Sequence, residues 1–409
     1  MKILLISQYF WPENFRINDL TVGLAQKGHE VTVVTGIPNY PEGKYFSGYG
    51  LFKNSRQEYH GVKILRLPLI PRGQGGRLRL ALNYFSFMVS GLAFVPFVCR
   101  GKFDLIFVYE PSPITVGLPA ILLKRIWSVP LFFWVQDLWP ESLSAIGAVK
   151  SPLFLRLVKK LVYFTYHECS LILVQSKAFI PSILSFGVDS SRIVYFPNSA
   201  EEFYRPIDLE SDAIERREIP QGFIVVFAGN IGAAQDFSTI ISAAEKLRGH
   251  PNIYWVIIGD GRRRQWVEDE VVVRNLGHNF IFLGRHPAAL MPRYFALADV
   301  LLVTLRNEEI FKLTIPSKVQ SYLACAKPII ASLAGESAKI IEESQAGFSC
   351  SPENPSALAE LVLKMYHMDE RERGEMGLNG RRYFENNFCR SKLINQLDDL
   401  IKGIKGVKF

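Results

Sequence analysis

Two doubly wound α/β domains in tandem are the architecture the sequence predicts, and three observations predict it. Short apolar, β-branched runs alternate with helical stretches, which is the rhythm of parallel βαβ units. The series breaks at Pro197-Asn198-Ser199 and an irregular charged stretch to Gln221, then begins again. The length, 409 residues, exceeds what one hydrophobic core usually serves.

The first series opens with a strand at Lys2–Ile6, a helix near Asn18–Lys27 and a strand at Val31–Val34. Strands at Leu105–Val108, Leu131–Val135, Leu171–Val174 and Ile193–Phe196 continue it. The second consists of Ile224–Ala228, Trp255–Gly259, Ile281–Gly284, Val300–Val303 and Ile329–Ala331. The expected domains are 1–198 and 199–389, followed by a helix at about 390–409. Ligands of open α/β sheets bind beyond the carboxyl ends of the strands, so chemistry is expected in the turns there.

Composition narrows the class. Apolar residues make up 48% and charged residues 21%, as in folded soluble proteins. The five cysteines are widely spaced and form no C-x-x-C pair, which points to a reducing compartment rather than to zinc or a redox motif. Only four apolar residues, Ile3 to Ile6, follow Met1-Lys2, too few for the core of a secretory signal, so a cytoplasmic protein is expected. The net charge of +8 is uneven: residues 1–200 hold 21 Lys/Arg against 11 Asp/Glu, the remainder 26 against 28. The basic first half predicts an anionic partner, with nucleic acid, anionic lipid and a phosphorylated ligand all admitted by charge alone.

The turns of the second series are glycine-rich. Gly229-Asn230-Ile231-Gly232, Gly259-Asp260-Gly261-Arg262 and Gly284-Arg285 follow its first three strands. Glycine lets a ligand approach the backbone, although strand-to-helix turns also need it for structural reasons. After the strand at Val300–Val303 comes Thr314 to Ile330. Ser317 and Gln320 have the form of a capping box, so a helix is predicted from Lys318, with Val319, Tyr322, Leu323 and Ala326 on its buried face and Pro328 as its stop. Its free N–H groups and Lys318 would attract an anion the size of a phosphate.

Several passages taken together resemble the GT-B glycosyltransferases of family four, in particular the bacterial branch that builds O-antigen, capsule and exopolysaccharide. In the first half these are Lys2–Ile6 with Pro12-Glu13-Asn14-Phe15-Arg16, Gly28 to Thr35, Pro38-Asn39-Tyr40-Pro41, Val135 to Glu141 and Pro197-Asn198. In the second half they are Ala228 to Gly232, Gly259-Asp260-Gly261, Phe282-Leu283-Gly284, Ala298-Asp299-Val300 and Pro316 to Ile330. The resemblance implies two Rossmann-like domains facing a cleft, the second holding a nucleotide-activated sugar and the first an acceptor, with the last helix returning to the first domain.

By matching position, the resemblance makes Gly229, Asn230, Gly232, Gln235, Arg262, Ser317, Lys318, Ser321 and Glu336 the donor-binding set. It puts Arg285 beside the base and Lys318 on the diphosphate. Breaking the sugar–phosphate bond develops charge on the departing diphosphate, which fixed N–H donors and a cation stabilise. No metal or other cofactor is expected, and no Asp-any-Asp motif occurs. The chain departs from the wider family at Leu313 and Ser321, where glutamates are common, and at Asn230 and Gln235, where a basic pair is usual. Lys318 therefore carries more of the phosphate role. Asp137, after Leu131–Val135, suits orienting or deprotonating an acceptor hydroxyl, and equally suits capping the next helix. Glu110 is a second carboxylate at a strand end, or a turn residue. Asn14 and Arg16 border the expected diphosphate and acceptor.

Leu80 to Cys99 is a mostly apolar run nearly long enough to span a bilayer, but strands on either side are expected to share one sheet, which argues against spanning. A buried helix and a membrane-surface helix remain as readings. Arg72, Arg77 and Arg79 in a loop with Gly73, Gly75 and Gly76, and Arg156, Lys159 and Lys160 within apolar Leu153–Tyr166, suit an anionic bilayer.

The expected function is transfer of a sugar from a nucleoside diphosphate, UDP being the expected nucleotide and an N-acetylated sugar a candidate. The expected acceptor is a polyprenyl-diphosphate-linked saccharide at the inner face of the plasma membrane, with retention of configuration. A nucleotide-sugar epimerase and a non-catalytic sugar-nucleotide-binding partner are the alternatives. Neither first strand is followed by G-x-G-x-x-G, which weakens a dehydrogenase reading, and no nucleic-acid module is present.

Overall fold

The computed structural model describes residues 1–51, 53–73, 76–99, 101–145 and 151–404. Gly75, the side chain of Arg77 and the 405–409 end of the expected last helix lie outside the described residues. The chain divides into two compact units, Met1–Pro197 with Ser391–Phe409, and Asn198–Arg390.

The first unit is built on β1 (Lys2–Ile6), β2 (Glu30–Gly36), β3 (Arg56–Tyr59), β4 (Val62–Leu67), β5 (Leu105–Glu110), β6 (Leu131–Val135), β7 (Leu171–Val174) and β8 (Ile193–Tyr195). Their order is β3-β4-β2-β1-β5-β6-β7-β8, parallel except for the antiparallel β3–β4 pair. The second contains β9 (Phe223–Ala228), β10 (Ile253–Ile258), β11 (Phe280–Gly284), β12 (Val300–Thr304), β13 (Ile329–Ser332) and β14 (Gly347–Cys350), ordered β11-β10-β9-β12-β13-β14 and parallel throughout. Helices cover both faces, so central strands such as β5, β6 and β9 are buried along their whole length. That double burial is why they read as continuous apolar runs.

Three strands were not foreseen: β3, β4 and β14. Arg56-Gln57-Glu58-Tyr59 is polar because it forms a sheet edge, and Gly347-Phe348-Ser349-Cys350 is another short edge with only half-buried residues. His60 and Gly61, with φ of 47° and 80°, turn the chain between β3 and β4. Two successive positive φ values are the geometry of a tight hairpin turn.

The helix Arg390–Gly403 packs Leu393, Ile394, Leu397 and Ile401 against Ile3, Leu5 and Leu24 of the first unit. A buried contact of 2.9 Å between His29 Nε2 and Asp398 Oδ1 fixes its rotation. Lys402 donates to Asp398 at 2.8 Å and, ahead of His29, holds that carboxyl below its ordinary range.

The helix Arg77–Val98 has an inverted character. Its inner face buries Asn83, Phe87, Ser90 and Val95, and Gly91 lies so close to the helix Gly117–Trp127 that a Cβ there would stand 2.4 Å from Pro119. Its outer face is apolar: Leu78, Phe85 and Phe97 are 74%, 60% and 73% exposed, with Leu82, Val89 and Phe94 beside them. Only 22% of its most apolar stretch is buried, so it is not the core helix of a soluble domain. Nearby in sequence, the helix Pro152–Glu168 exposes Leu153, Phe154 and Leu157 together with Arg156, Lys159 and Lys160.

In the second sheet, β9 and β12 pair only at Val225–Val300 and Val226–Leu301, then part. The backbone of Ala228, past the last rung, is met by a side chain instead. Fully buried Tyr322, on the helix Ser317–Ala324, accepts from Ala228 N at 3.0 Å and donates to Ala228 O at 3.4 Å. Removing that hydroxyl leaves a buried backbone donor unpaired. Tyr322→Phe is expected to cost about 1–3 kcal/mol, read as an earlier urea transition of the second unit.

Candidate functional site

The sheet order of the second unit reverses between β9 and β12, and this is where an open α/β sheet receives a ligand. The loop after β9 is held open by short-range bonds. Gly232 N donates to Gln235 Oε1 at 3.2 Å, Asn230 Nδ2 lies 3.5 Å from the same oxygen, and Thr304 Oγ1 donates to Gln235 O. Gly229 has a φ of 138°, and Gly259, at 136°, sits so close that a Cβ there would lie 1.9 Å from Gly229 O. A larger residue at Gly259 would force these two loops apart, and one at Gly229 would press on the Lys318 side chain.

Into this loop comes Lys318. The helix begins at Ser317 with extended Pro316 before it, so Lys318 is on its first turn and one turn before Tyr322. Its Nζ is buried without a hydrogen-bond partner, 3.8 Å from the centre of the Phe227 ring and 3.3 Å from where a Cβ on Gly229 would stand. Burial pushes the ammonium down to about 7. A buried cation facing only an aromatic ring and a glycine is incompletely satisfied, and an anion beside Gly229 would complete it.

The capping box expected of Ser317 and Gln320 is not formed. Gln320 is fully buried, and its amide nitrogen donates to Pro316 O and Ser317 O at 3.1 and 3.2 Å, where a capping box needs its oxygen to accept from the N–H that opens the helix. Ala326 is not part of the buried helical face either: the helix ends at Ala324 and Ala326 has a φ of 54°. Ser321 is buried and donates to Ser317 O at 3.3 Å, so its hydroxyl is turned to its own helix. Glu336, half-buried, opens the helix Glu336–Glu343 after β13, and Ser337 ties that helix to Thr314 O at 3.0 Å. Arg285 is exposed and paired with Asp260 at 3.3 Å, and Arg262 is exposed. A polar cavity of about 400 Å³ adjoins the loop, lined by Ala233, Asp236, Arg263, Arg306 and Glu353 among others.

In the first unit the order reverses between β1 and β5, and Glu110 ends β5. It is completely buried, neither carboxyl oxygen has a well-formed hydrogen bond among the described residues, and burial, then Asp137, raises its pKa well above the usual range against the nearby backbone N–H groups of Asp137 and Gln136. Asp137, just past β6, is raised to about 6 by burial, against which Ser142, Trp139 and Ser112 pull down. Ser142 Oγ donates to Asp137 Oδ1 and, at 2.7 Å, to Leu138 O, so Asp137 does brace the turn into Glu141–Ala145. Trp139, Ser112 and the backbone N–H of Leu138 also hydrogen-bond its carboxyl. Asn14 is exposed and Arg16 half-buried, at the head of the helix Arg16–Gln26.

Glu13 is the residue that sequence reasoning passed over. Its carboxylate accepts from Asn39 N at 2.8 Å, Tyr40 N at 2.7 Å and Phe10 N at 3.4 Å, tying the loop after β1 to that after β2. Burial outweighs those bonds and raises it to about 7. The motifs Pro12-Glu13-Asn14 and Pro38-Asn39-Tyr40 were visible, but not that one pins the other. A larger cavity, about 880 Å³, opens at the amino ends of β6 and β7 against the helix Arg390–Gly403, the wrong end of such a sheet for its principal ligand. Among the described residues, no three His, Cys, Asp or Glu side chains gather in a metal-like group.

Residues 14–199 match the model of the glycosyl transferase 4-like domain, and residues 211–383 that of glycosyl transferases group 1. WcaI of Escherichia coli K12, whose name assigns it to colanic acid biosynthesis as a glycosyl transferase, is 25% identical over 79% of this chain and 81% of its own length. WbjE of Pseudomonas aeruginosa, a glycosyltransferase by name, is 29% identical over 73% and 75%. The crystal structure of Anabaena HepE in complex with UDP shares the fold with a TM-score of 0.71 over 98% of this chain and 100% of that one, at 15% identity. Matched by one family model in each unit, and in the same order, the chain belongs to the GT-B glycosyltransferases of the family-four kind and is itself a glycosyltransferase.

Proposed function

We propose that this glycosyltransferase moves a sugar from a nucleoside diphosphate, UDP in the first instance, to a saccharide carried on polyprenyl diphosphate at an anionic membrane surface, in the making of a surface polysaccharide. The observation that carries the donor half is Lys318 Nζ, buried and partnerless beside Gly229. A diphosphate in that place gains the ammonium and the N–H groups of the first turn of Ser317–Ala324, donors fixed in position before the reaction begins. The crystal structure of HepE in complex with UDP supports the same donor class.

In the proposed reaction the bond between the anomeric carbon and the diphosphate oxygen breaks, and its electrons remain on the diphosphate. The acceptor hydroxyl oxygen bonds that carbon from the face the diphosphate leaves, which retains configuration, and its proton passes to the departing oxygen. Charge for this comes from Lys318 and the helix start, without a metal. Asp137 positions the acceptor hydroxyl, and Glu110, protonated beneath it, limits the negative charge at that point. Gly229, Asn230, Gly232 and Gln235 shape the loop around the diphosphate, while Ser317 lies at the helix start. Glu336 and Arg262 lie at adjoining carboxyl ends, and Arg285 must exchange Asp260 for any contact with a base. Asn14 and Arg16 flank the acceptor side.

The membrane half rests on the apolar outer face of Arg77–Val98 and the mixed apolar and basic face of Pro152–Glu168, which suit the boundary of an anionic bilayer. Exposed Leu78, Phe85 and Phe97 would enter the acyl boundary, and Arg156, Lys159 and Lys160 would meet lipid phosphates.

A panel of UDP- and GDP-sugars with polyprenyl-diphosphate-linked saccharides, scored by sugar incorporated into lipid, tests the reaction; donor turnover with no incorporation would overturn it. Lys318→Ala should lower kcat roughly 10²–10³-fold with the fold intact by circular dichroism. Because burial holds Lys318 at about 7, it must take up a proton to hold a diphosphate at higher pH. UDP affinity should therefore weaken as pH rises above 7, by up to about tenfold per unit, and calorimetry at pH 8 in buffers of different ionisation enthalpy should show proton uptake that Lys318→Ala abolishes. Phe85→Glu with Phe97→Glu should abolish flotation with anionic vesicles and leave UDP binding unchanged.

A further inference from the structure

Behind the apolar face of Arg77–Val98 lies a cluster of polar side chains at the carboxyl ends of β1 and β2. Asn83, fully buried on that helix, donates to Ile70 O at 2.6 Å and accepts from Gln8 Nε2 at 2.7 Å. Ser86 accepts from Ile70 N at 2.8 Å, so the loop leading to Arg72 is fastened to the helix at two points. Arg72 is carried over this cluster: its backbone N donates to Asn39 Oδ1 at 3.1 Å, and its guanidinium carbon stands 4.9 Å from the centre of the Tyr40 ring and 6.0 Å from that of Tyr9. Its one side-chain hydrogen bond is a long one, Nη1 to Tyr9 OH at 3.4 Å. Among the described residues no carboxylate pairs with it.

The phenols beneath it hydrogen-bond one another, and Tyr84 also bonds Ser112. Tyr9 OH lies 3.4 Å from Asn83 Oδ1 and 3.5 Å from Gln8 Nε2, distances at the limit of hydrogen bonding. Tyr84 neighbours Tyr9, Ser112 and Asp137. Burial raises the pKa of both phenols, so they stay protonated donors. A cation shelved on aromatic rings with two hydroxyl donors and no counter-ion is a receptor for a phosphate group.

We propose that Arg72, Tyr9 and Tyr84 form a subsite for the diphosphate that joins lipid to saccharide in the acceptor, which rests on the lipid-linked acceptor proposed above. The helix supplies the spacing. Leu82 and Phe85 face outward where Asn83 and Tyr84 face the polar cluster, so apolar boundary and phosphate receptor are separated by one helix, roughly 10 Å across. An amphiphile with a hydrocarbon tail and a diphosphate head requires that juxtaposition, and a water-soluble acceptor does not.

The test compares wild type with Arg72→Gln on two acceptors that carry the same saccharide, one on polyprenyl diphosphate and one on an uncharged alkyl chain. KM for the first should rise roughly ten- to hundredfold, the worth of charge-assisted hydrogen bonds, while KM for the second, UDP affinity and flotation with anionic vesicles stay unchanged. An equal shift for both acceptors would assign Arg72 a structural role; a change in UDP affinity would assign it to the donor, and a loss of flotation alone to a lipid headgroup, each overturning the subsite. Direct binding of farnesyl diphosphate against farnesol gives a reading independent of turnover. A preference for the diphosphate that is lost in Arg72→Gln supports the subsite, and equal binding by wild type and variant refutes it. Absence of wild-type transfer to either acceptor would instead refute the proposed reaction.

Discussion

The parting of β9 from β12 is the constraint on which the second unit depends. A parallel sheet that reverses its order leaves two strands diverging at the reversal, and their backbone groups lose their partners there. In this chain Tyr322 supplies the missing partner to Ala228, and in doing so fixes the rotation of its helix. Four residues earlier on the same helix, Lys318 is thereby turned under the glycine loop. The bond that closes the sheet and the cation that opens the site are two consequences of one helix placement.

The electrostatics of that site rest on few charges. Asn230 and Gln235 are neutral and bind one another within the loop after β9, Ser321 donates to its own helix, and the Nζ of Lys318 stands beside Gly229. An ammonium held at about 7 rather than in its ordinary range is poised to change charge when its surroundings do. In the first unit burial acts in the same way on carboxyls, lifting Glu13 to about 7 and Asp137 to about 6. Both units therefore hold titratable groups near neutrality by desolvation, with opposite changes in charge at stake.

The buried central strands were readable because strands covered on both faces must be apolar along their length. Edges were not: Arg56–Tyr59 and Gly347–Cys350 carry too little apolar surface to announce themselves, and only the alternation of Val62 and Ile64 with Lys63 hinted at β4. Of the site, the loop at Gly229 and the helix carrying Lys318 were visible as glycine spacing and a charged helix start. What escaped was orientation. Gln320 bears a capping residue's chemistry but points inward, Ser321 donates to its own helix, and Glu13 reaches from one loop to another 26 residues on. Each depends on side-chain direction set by tertiary packing, which residue type and spacing do not encode.

The return of Arg390–Gly403 to the first unit has a consequence for biosynthesis. The second unit is a single uninterrupted segment, Asn198–Arg390, and holds every strand of its own sheet. It can fold as soon as it clears the ribosome, as contiguous domains do. The first unit, translated earlier, must wait: until residues 393–401 emerge, the side of its sheet around Ile3, Leu5 and Leu24 lacks Leu393, Leu397 and Ile401 as cover. The half made first is thus the half completed last.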